Sequence, residues 1–455
     1  MHLVAGETER IDDGSAAVDL DQSPGDIVLI SAADSELAAF ASAAGRAGEG
    51  PSLRLANLMR LGHPYSVDLY LEKTLSKAKL VVLRLIGSAG YWPYGLEALR
   101  ALSRGGGPRL IVVPGGDERW DPALEAYCTV PLEDCRQFWR AAVAGGPANL
   151  DRALRLARHL VGDGDRPAEA EPLPVAGLHH DGADGRPLAL VVFYRALLEG
   201  GSTGPVDELV RALDRAGLAA RAIYVTSPKN PEAAAFIARI AEETPPDIVI
   251  NGTAFSLSKP GRHAEPTVLD APGRPVLQIV FAQTTRAAWL ASARGLGPRD
   301  MIMNVVLPEV DGRILTRPIS FKEELPRDGV TDSRIVAYRA DPERIAFVAA
   351  EAAAWVRLGR KAPSERRVAI ILSNYPGRSG RIGNGVGLDT PESTIRIIRA
   401  MRAAGYRLEG FPETGRGLMT ALEAAQIAAG SPVSGVPAEG PHPNPPPQGG
   451  RESLA

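Results

Sequence analysis

The sequence is poor in cysteine, in aromatic residues and in net charge. Its 455 residues include two cysteines, Cys128 and Cys135, and aromatic residues make up 5%. Two cysteines separated by six residues fit neither a disulfide framework nor a structural zinc site, so we expect two reduced thiols. A formal net charge of -3 argues against the basic surface that nucleic-acid binding requires.

The sequence also lacks long apolar runs and a secretory leader. Arg84 interrupts the best apolar stretch well before the ~18 residues that a membrane helix needs. Residues 1–15 contain no basic region followed by an apolar region, which a signal peptide would have. We therefore expect a cytoplasmic protein that makes no membrane contact.

A Walker A loop is absent as well. The Gly-rich segment 200–204 follows a predicted strand and opens a helix, but no Gly-Lys-Ser/Thr follows it. This geometry predicts either a tight turn or an anion site formed by free backbone N–H groups. If the protein serves an ATP-dependent reaction, another chain must hydrolyse the ATP.

Short apolar runs alternate with helical patterns through most of the chain. These runs are residues 26–30, 79–86, 109–113, 188–194, 221–225, 247–251, 276–281 and 303–307. Continuous apolar strands that alternate with helices are typical of parallel sheets covered on both faces. The sequence therefore predicts an α/β fold made of successive doubly wound, Rossmann- or flavodoxin-like parallel-sheet units.

Shifts in composition divide the chain into six predicted segments. They are an N-terminal α/β domain (1–165), a Gly-, Asp- and Pro-rich linker (166–186), a second α/β domain (187–330), a helical bridge (331–365), the start of an incomplete third α/β domain with a strand at 367–372 (366–429), and a disordered Pro/Gly-rich tail (430–455). The tail has too little apolar surface to order itself.

Polar loops after predicted strands are candidate ligand sites, because ligands of open parallel sheets bind at the carboxyl ends of the strands. Three such loops hold the candidate residues Asn251, Thr253, Phe255, Gln283, Glu309, Asp311 and Arg313. On pattern alone, they are the solvated ends of βαβ units, and Phe255 is a packed core residue.

Three further clusters have a possible binding role. The Gly-rich loop 383–389 lies near Asn374, Tyr375, Arg378 and Arg381 and predicts either a flat-ligand site with arginines for carboxylates or a solvated loop. His179-His180-Asp181 has metal-ligand character, although a solvated turn is favoured because adjacent side chains of an extended segment point opposite ways. The aromatic residues 91–94 predict either a ligand wall or, as we favour, a cap on the first sheet.

Longer segments resemble the large subunit of cobaltochelatases of the CobN type, which is related to the large subunit of magnesium chelatase. These segments are LRLANLMRLGHPYSVDLYLEKTL, RLIGSAGYWPYGLEALR, ASARGL, LPEVDGRI and LSNYPGRSGRIGNGVGLDTPEST. The resemblance covers roughly residues 1–420. Because that family's subunit is much longer, we expect this chain to be a truncated N-terminal portion.

The resemblance implies a tetrapyrrole-binding subunit of an ATP-dependent cobaltochelatase, which inserts cobalt(II) into hydrogenobyrinic acid a,c-diamide in cobalamin biosynthesis. Cobalt is then a substrate ion, and an AAA+ ATPase subunit with its companion subunit uses the ATP. Two alternatives stay open: a magnesium chelatase large subunit, and a truncated binding module without catalysis.

Under this interpretation each candidate residue has an expected role. Glu309 and Asp311 serve as bases or metal-delivery groups, and His180 is a metal ligand. The expected macrocycle-binding residues are Asn251, Thr253, Phe255, Gln283, Arg313, Asn374, Tyr375, Arg378 and Arg381.

Overall fold

The computed structural model describes residues 17–115, 119–258, 265–372, 383 and 387–428. The chain divides into two compact units, Met1–Val356 and Arg357–Ala455. The first unit contains two sheets, and the candidate site residues that the structure describes lie in this unit.

The first sheet has four parallel strands in the order β2-β1-β3-β4. The strands are β1 (Ile27–Ser31), β2 (Leu53–Asn57), β3 (Leu80–Leu85) and β4 (Arg109–Pro114). Its helices are α1 (Asp34–Ala47), α2 (Pro64–Lys73), α3 (Pro93–Arg104), α4 (Leu132–Ala144) and α5 (Gly146–Leu160). Helices α1, α4 and α5 bury one face of the sheet, and α2 and α3 bury the other.

The second sheet has seven strands in the order β11-β10-β9-β8-β6-β7-β5. They are β5 (Ala176–Asp181), β6 (Leu188–Tyr194), β7 (Ala219–Val225), β8 (Ile248–Asn251), β9 (Val276–Ala282), β10 (Ile314–Glu324) and β11 (Val336–Ala340). The five central strands are parallel, and β5 and β11 are antiparallel edge strands.

Further helices accompany the second sheet. They are α6 (Arg195–Glu199), α7 (Gly204–Arg215), α8 (Pro231–Glu243), α9 (Arg286–Ala291), α10 (Pro298–Met301), α11 (Leu307–Val310) and α12 (Pro342–Arg360). Helices α7 and α12 cover one face of the second sheet and α8 covers the other. The second unit contains α13 (Thr390–Ala403) and α14 (Gly415–Ala428).

This arrangement confirms the predicted α/β fold of doubly wound units. The parallel strands of both sheets have the flavodoxin-like strand order. In each sheet the second strand in the chain lies on one side of the first, and the later strands lie on the other side. The order therefore reverses between β1 and β3 in the first sheet and between β6 and β8 in the second. Ligand crevices are expected at those two points.

Two predicted strands are wrong. Residues 303–307 do not form a strand, because a π-helical segment, Ile302–Val306, joins α10 to α11, and the next strand begins at Ile314. Pro298 starts this helical stretch at a position where a missing N–H costs nothing, so local helix initiation overrides the β-propensity of the valines. Residues 367–372 form no regular element.

The sequence did not predict the central strand β10 or the edge strands β2, β5 and β11. Strand β5 lies inside the predicted linker, and β11 lies in the segment interpreted as helical. Each of these four strands contains residues that are only partly buried, so none shows the continuous apolar run that marks the predicted strands.

The segment that follows β10 returns to the first sheet. Ser333 Oγ donates to the Leu55 carbonyl (2.7 Å) and accepts from the Leu55 N–H (3.0 Å) on edge strand β2. Ile335 is buried in the core formed by α1, α4 and α5. The first sheet therefore completes both its edge and its core with residues that follow the second sheet in sequence.

Asp26 joins the amino ends of three strands. Its carboxylate pairs with Lys79 (2.9 Å) and accepts hydrogen bonds from the N–H (3.0 Å) and hydroxyl (2.8 Å) of Ser52. These donors, Lys79 first, lower the pKa of Asp26 to about 2. Because the pKa is lower in the folded state, this stabilisation is complete above the unfolded pKa near 4 and disappears as the pH falls through about 2.

We expect Asp26→Asn to lower the free energy of unfolding by about 1–2 kcal/mol at neutral pH and by almost nothing near pH 2. Urea unfolding at several pH values measures the difference. The exposed Glu72→Gln is the control and should stay within about 0.5 kcal/mol. An equal loss at both ends of the pH range would show that the ionised carboxylate is not the cause.

Candidate functional site

The carboxyl end of β8 lies at the reversal point of the second sheet and carries a buried polar network. The Asn251 side-chain oxygen accepts from the Thr253 hydroxyl (2.7 Å) and N–H (3.1 Å), and its amide donates to Gln278 Oε1 (2.8 Å). All three residues are buried. Asn251 and Thr253, predicted to bind substrate, therefore fix the path of the loop that follows β8.

Phe255 lies in this loop with a strained backbone. Its φ of +70° lies in the left-handed region, which costs a bulky residue on the order of 1–3 kcal/mol. The backbone is held there because the Phe255 N–H donates to the Met303 carbonyl (2.8 Å), while the Tyr194 hydroxyl contacts the backbone of Ala254 (3.1 Å). Phe255 is half-buried, so its interpretation as a packed core residue is wrong.

Gln283 begins the loop after the neighbouring strand, β9. Its N–H donates to the buried Asp300 carboxylate (2.8 Å), and its side-chain amide contacts the Tyr338 hydroxyl. Burial raises the pKa of Asp300 and raises that of Tyr338 to about 12. Among the residues that the structure describes, the buried Gln283 Oε1 has no hydrogen-bond partner.

One helical stretch supports both loops. Met303 receives the hydrogen bond from Phe255, and Asp300, three residues earlier, receives the one from Gln283. The structure thus brings Asn251, Thr253, Phe255 and Gln283 to one edge of the sheet, as predicted from their positions after strands. Tyr194, Asp300 and Tyr338 were missed; an acidic residue after the Gly-Pro turn 297–298 was the only sequence signal for Asp300.

Asp311 and Arg313 hold the loop that follows β8 from the other side. The Asp311 carboxylate accepts from the Ser256 hydroxyl (2.7 Å) and from the N–H groups of Leu257 and Ser258. Burial opposes ionisation here, but these hydrogen bonds together lower the pKa of Asp311. Arg313 is buried, pairs with Asp270 and donates to Thr267 Oγ1 (2.6 Å).

Glu309 has a different environment from Asp311. It is exposed on α11, and its carboxylate makes no hydrogen bond or ion pair with the other described residues. Of the two carboxylates predicted to act in catalysis, Glu309 is therefore available to a ligand, whereas Asp311 already has three donors.

The His179-His180-Asp181 cluster lies on edge strand β5, and the favoured solvated turn is therefore wrong. His179 Nε2 contacts Asp207 Oδ1 (2.6 Å), Asp181 pairs with Arg221 (2.9 Å), and His180 is exposed. The described part of the chain contains no group of three His, Cys, Asp or Glu residues able to hold a metal ion. The role of His180 stays a prediction, and Asn374, Tyr375, Arg378 and Arg381 lie outside the described residues.

The reversal point of the first sheet is built around a buried ion pair. Arg84 on β3 is 2% exposed and pairs with Glu36 on α1, whose carboxylate also accepts from the Ser31 hydroxyl (2.5 Å). Asp34, at the start of the same helix, pairs with Lys322 of β10 (3.2 Å). This contact joins the carboxyl ends of the two sheets.

The aromatic cluster 91–94 has one buried member and two exposed ones, and its role as a ligand wall stays a prediction. Trp92 is buried and its Nε1–H donates to the Leu61 carbonyl (2.8 Å), so it caps the sheet as we favoured. Tyr91 and Tyr94 are exposed.

No helix within the described ranges is long and apolar enough to cross a membrane.

The first unit thus has two doubly wound sheets with polar loops at their reversal points, the places where open α/β proteins bind their ligands. A family model described as CobN/Magnesium Chelatase matches residues 137–434. The chain belongs to this family, as the sequence resemblance predicted.

Among its relatives, the chain is 41% identical to an aerobic cobaltochelatase subunit CobN from Sinorhizobium sp, over 95% of this chain and 35% of that protein. It is 25% identical to a magnesium-chelatase subunit of Rhodobacter capsulatus, over 66% of this chain and 28% of that protein.

A solved structure, the catalytic subunit of cobaltochelatase from Mycobacterium tuberculosis, matches with a TM-score of 0.70 and 30% identity, over 90% of this chain and 33% of that one. The chain thus spans about a third of the length of the cobaltochelatase subunits that it matches.

Proposed function

We propose that this chain is a tetrapyrrole-binding portion of a cobaltochelatase large subunit, with hydrogenobyrinic acid a,c-diamide as the macrocycle and cobalt(II) as the substrate ion. The cobaltochelatase subunits among its relatives are 40–41% identical, against 25% for the magnesium-chelatase subunit of Rhodobacter capsulatus. This difference supports the cobalt branch over the magnesium branch.

The observation that carries the proposal is the strained loop at the reversal point of the second sheet. Its polar residues are satisfied within the protein, so the loop presents Phe255, a half-buried aromatic side chain, at the edge where ligands of this fold bind. A flat apolar side chain suits the face of a macrocycle.

Insertion of cobalt displaces pyrrole protons, so the site needs a base and a group that delivers a partly dehydrated ion. We assign this role to Glu309, because its carboxylate is exposed and unpaired among the described residues. Asp311 is a positioning residue, since it holds residues 256–258. Binding and hydrolysis of ATP belong to the AAA+ ATPase subunit and its companion subunit.

Titration of the purified chain with hydrogenobyrinic acid a,c-diamide, followed by absorbance and protein fluorescence, tests the proposal. We expect saturable binding with a Kd in the micromolar range or below, about -8 kcal/mol or better. Phe255→Gly should weaken binding about 10-fold without loss of stability, because glycine accepts the left-handed backbone. Phe347→Ala, which removes an exposed phenylalanine of α12, is the control.

The alternatives predict different results in the same titration. A magnesium chelatase subunit would bind protoporphyrin IX more tightly than the corrinoid. A folded chain that bound neither macrocycle would overturn the proposal. The remaining alternative would then be a truncated module that does not bind a tetrapyrrole.

Glu309 is tested in a full-length subunit assembled with its partner subunits. We expect Glu309→Gln to abolish most cobalt insertion and to change the free energy of unfolding by less than about 0.5 kcal/mol. Asp311→Asn should instead destabilise the chain by about 1–3 kcal/mol, because it weakens three hydrogen bonds to a buried carboxylate. Normal insertion by the Glu309 variant would remove that residue from the mechanism.

A further inference from the structure

Two arginines beside the second sheet form no ion pair with any residue that the structure describes. Arg317 lies on β10 and Arg344 in the first turn of α12, and both are half-buried. Arg344 Nε donates to the carbonyl oxygen of Pro318, the residue that follows Arg317 (2.8 Å). This hydrogen bond holds the two arginines next to each other, although they are far apart in the chain.

Each of the two guanidinium groups lies over an aromatic ring. Arg317 Cζ is 3.4 Å from the ring centroid of Phe347 on α12, and Arg344 Cζ is 4.4 Å from that of Trp289 on α9. Trp289 is held in turn by Phe321 of β10, with 5.4 Å between the ring centroids. Contact with the face of a ring attracts a guanidinium but uses none of its N–H donors. The rings therefore fix both cations and leave most of their donors available.

The carboxylates at the start of α12 do not neutralise this pair. Asp341, directly before the helix, is buried and forms its ion pair with Arg286 (2.8 Å). Burial lowers the pKa of Arg344, and the positive charge of Arg317 lowers it further. Asp341 and Glu343 oppose this change with smaller effects. The two arginines thus repel each other, and no described carboxylate in contact with them offsets the repulsion.

Glu351 is the carboxylate on α12 that the charge of Arg317 reaches. Its Oε2 is buried and forms no hydrogen bond with the described residues, and burial raises the pKa of the group. Glu351 forms no ion pair with Arg317. It therefore leaves the guanidinium open to an anion from outside the chain.

We propose that Arg317 and Arg344 form a binding site for a phosphate group, carried either by inorganic phosphate or by a phosphate monoester. A guanidinium presents its N–H donors in a fork that matches two phosphate oxygens. A phosphate group carries about -1.5 to -2 charges at pH 7, which matches two neighbouring cations better than the single charge of a carboxylate. The site lies on β10, α9 and α12, whereas Phe255 follows β8, so it is independent of the macrocycle site proposed above.

Titration of the full chain with inorganic phosphate, followed by tryptophan fluorescence, tests the proposal. Sodium chloride keeps the ionic strength constant. Because Trp289 lies under Arg344, we expect a saturable change in emission, with a Kd of about 1 mM or below. Phosphate should also raise the midpoint of thermal unfolding, since it binds the folded chain. Acetate should bind about 10-fold more weakly, because it carries one charge.

A parallel titration with glycerol 3-phosphate distinguishes the two sources of the phosphate group. Tighter binding of glycerol 3-phosphate than of inorganic phosphate identifies a monoester as the ligand. The reverse order identifies free phosphate.

Variants locate the site. Arg317→Gln should weaken phosphate binding about 10-fold, because it removes one of the two charge-assisted partners. Arg317→Lys should weaken it as well, since an ammonium keeps the charge but lacks the fork of donors. Arg155→Gln, which removes an exposed arginine of α5, is the control and should bind as wild type does.

Two results would overturn the proposal. One is a folded wild-type chain that responds to phosphate no more than to sodium chloride at the same ionic strength. The other is a folded Arg317→Gln variant that binds phosphate as tightly as the Arg155→Gln control. Circular dichroism shows which variants are folded, and Arg317→Lys alone decides if Arg317→Gln does not fold.

Discussion

Glu36→Gln is expected to lower the free energy of unfolding by about 3–5 kcal/mol, because it removes the counter-ion of a buried guanidinium. Arg84 is 2% exposed, and its Nη1 has no hydrogen-bond partner among the described residues. Its charge therefore depends on the Glu36 carboxylate, which Ser31 holds in place. Equilibrium unfolding in urea at neutral pH measures the loss.

Two further variants show whether the charge is the cause. Glu133→Gln breaks a surface pair, since its side chain is 84% exposed and lies 3.8 Å from Arg166, and should change stability by less than about 0.5 kcal/mol. Combining Glu36→Gln with Arg84→Met removes both charges and should recover most of the lost stability. A Glu36→Gln variant as stable as the Glu133→Gln control would contradict this account of the pair.

Gly95→Ala is expected to lower the free energy of unfolding by about 3 kcal/mol, because the new methyl group meets a buried indole. A Cβ on Gly95 would lie 2.1 Å from a Trp92 ring atom. The ring cannot turn away without losing its burial and its hydrogen bond to Leu61. Thermal unfolding followed by tryptophan fluorescence reports both the stability and the environment of the ring.

The matched control is a glycine in the same fold with free space around it. Gly45 is exposed in α1, and a Cβ there meets no atom within 4 Å. Gly45→Ala should stabilise the chain by about 0.5–1 kcal/mol, since alanine is the better helix former. If both alanines changed stability in the same direction, the contact with Trp92 would not be the cause of the Gly95 effect.

The sequence was informative wherever burial is continuous. The central strands, such as β3 and β6, are buried along nearly their whole length, and a run of apolar residues identifies them without further context. Edge strand β5 has only one buried residue, Ala176, and includes Gly177, so nothing in its composition separates it from a linker. The π-helical segment Ile302–Val306 has the residues of a strand and is distinguished only by the Pro298 that starts its helix.

The candidate site shows a different limit. Because Asn251 and Gln283 follow strands, the sequence correctly predicted that they lie at one edge of the sheet. It could not predict which polar side chains already form hydrogen bonds inside the protein. Asp311 and Glu309 are two residues apart, yet one is enclosed by three donors and the other is exposed. Such a difference depends on loop 256–258, which is distant in sequence.

The return of Ser333 to strand β2 has a consequence for synthesis on the ribosome. Ser333 occupies the N–H and carbonyl of Leu55, which lies 278 residues earlier in the chain. At roughly 5–20 residues per second, the nascent protein waits on the order of tens of seconds before this serine emerges. During that interval β2 has an unprotected edge and the core lacks Ile335, so the growing chain is a template for intermolecular strand pairing and a target for chaperones.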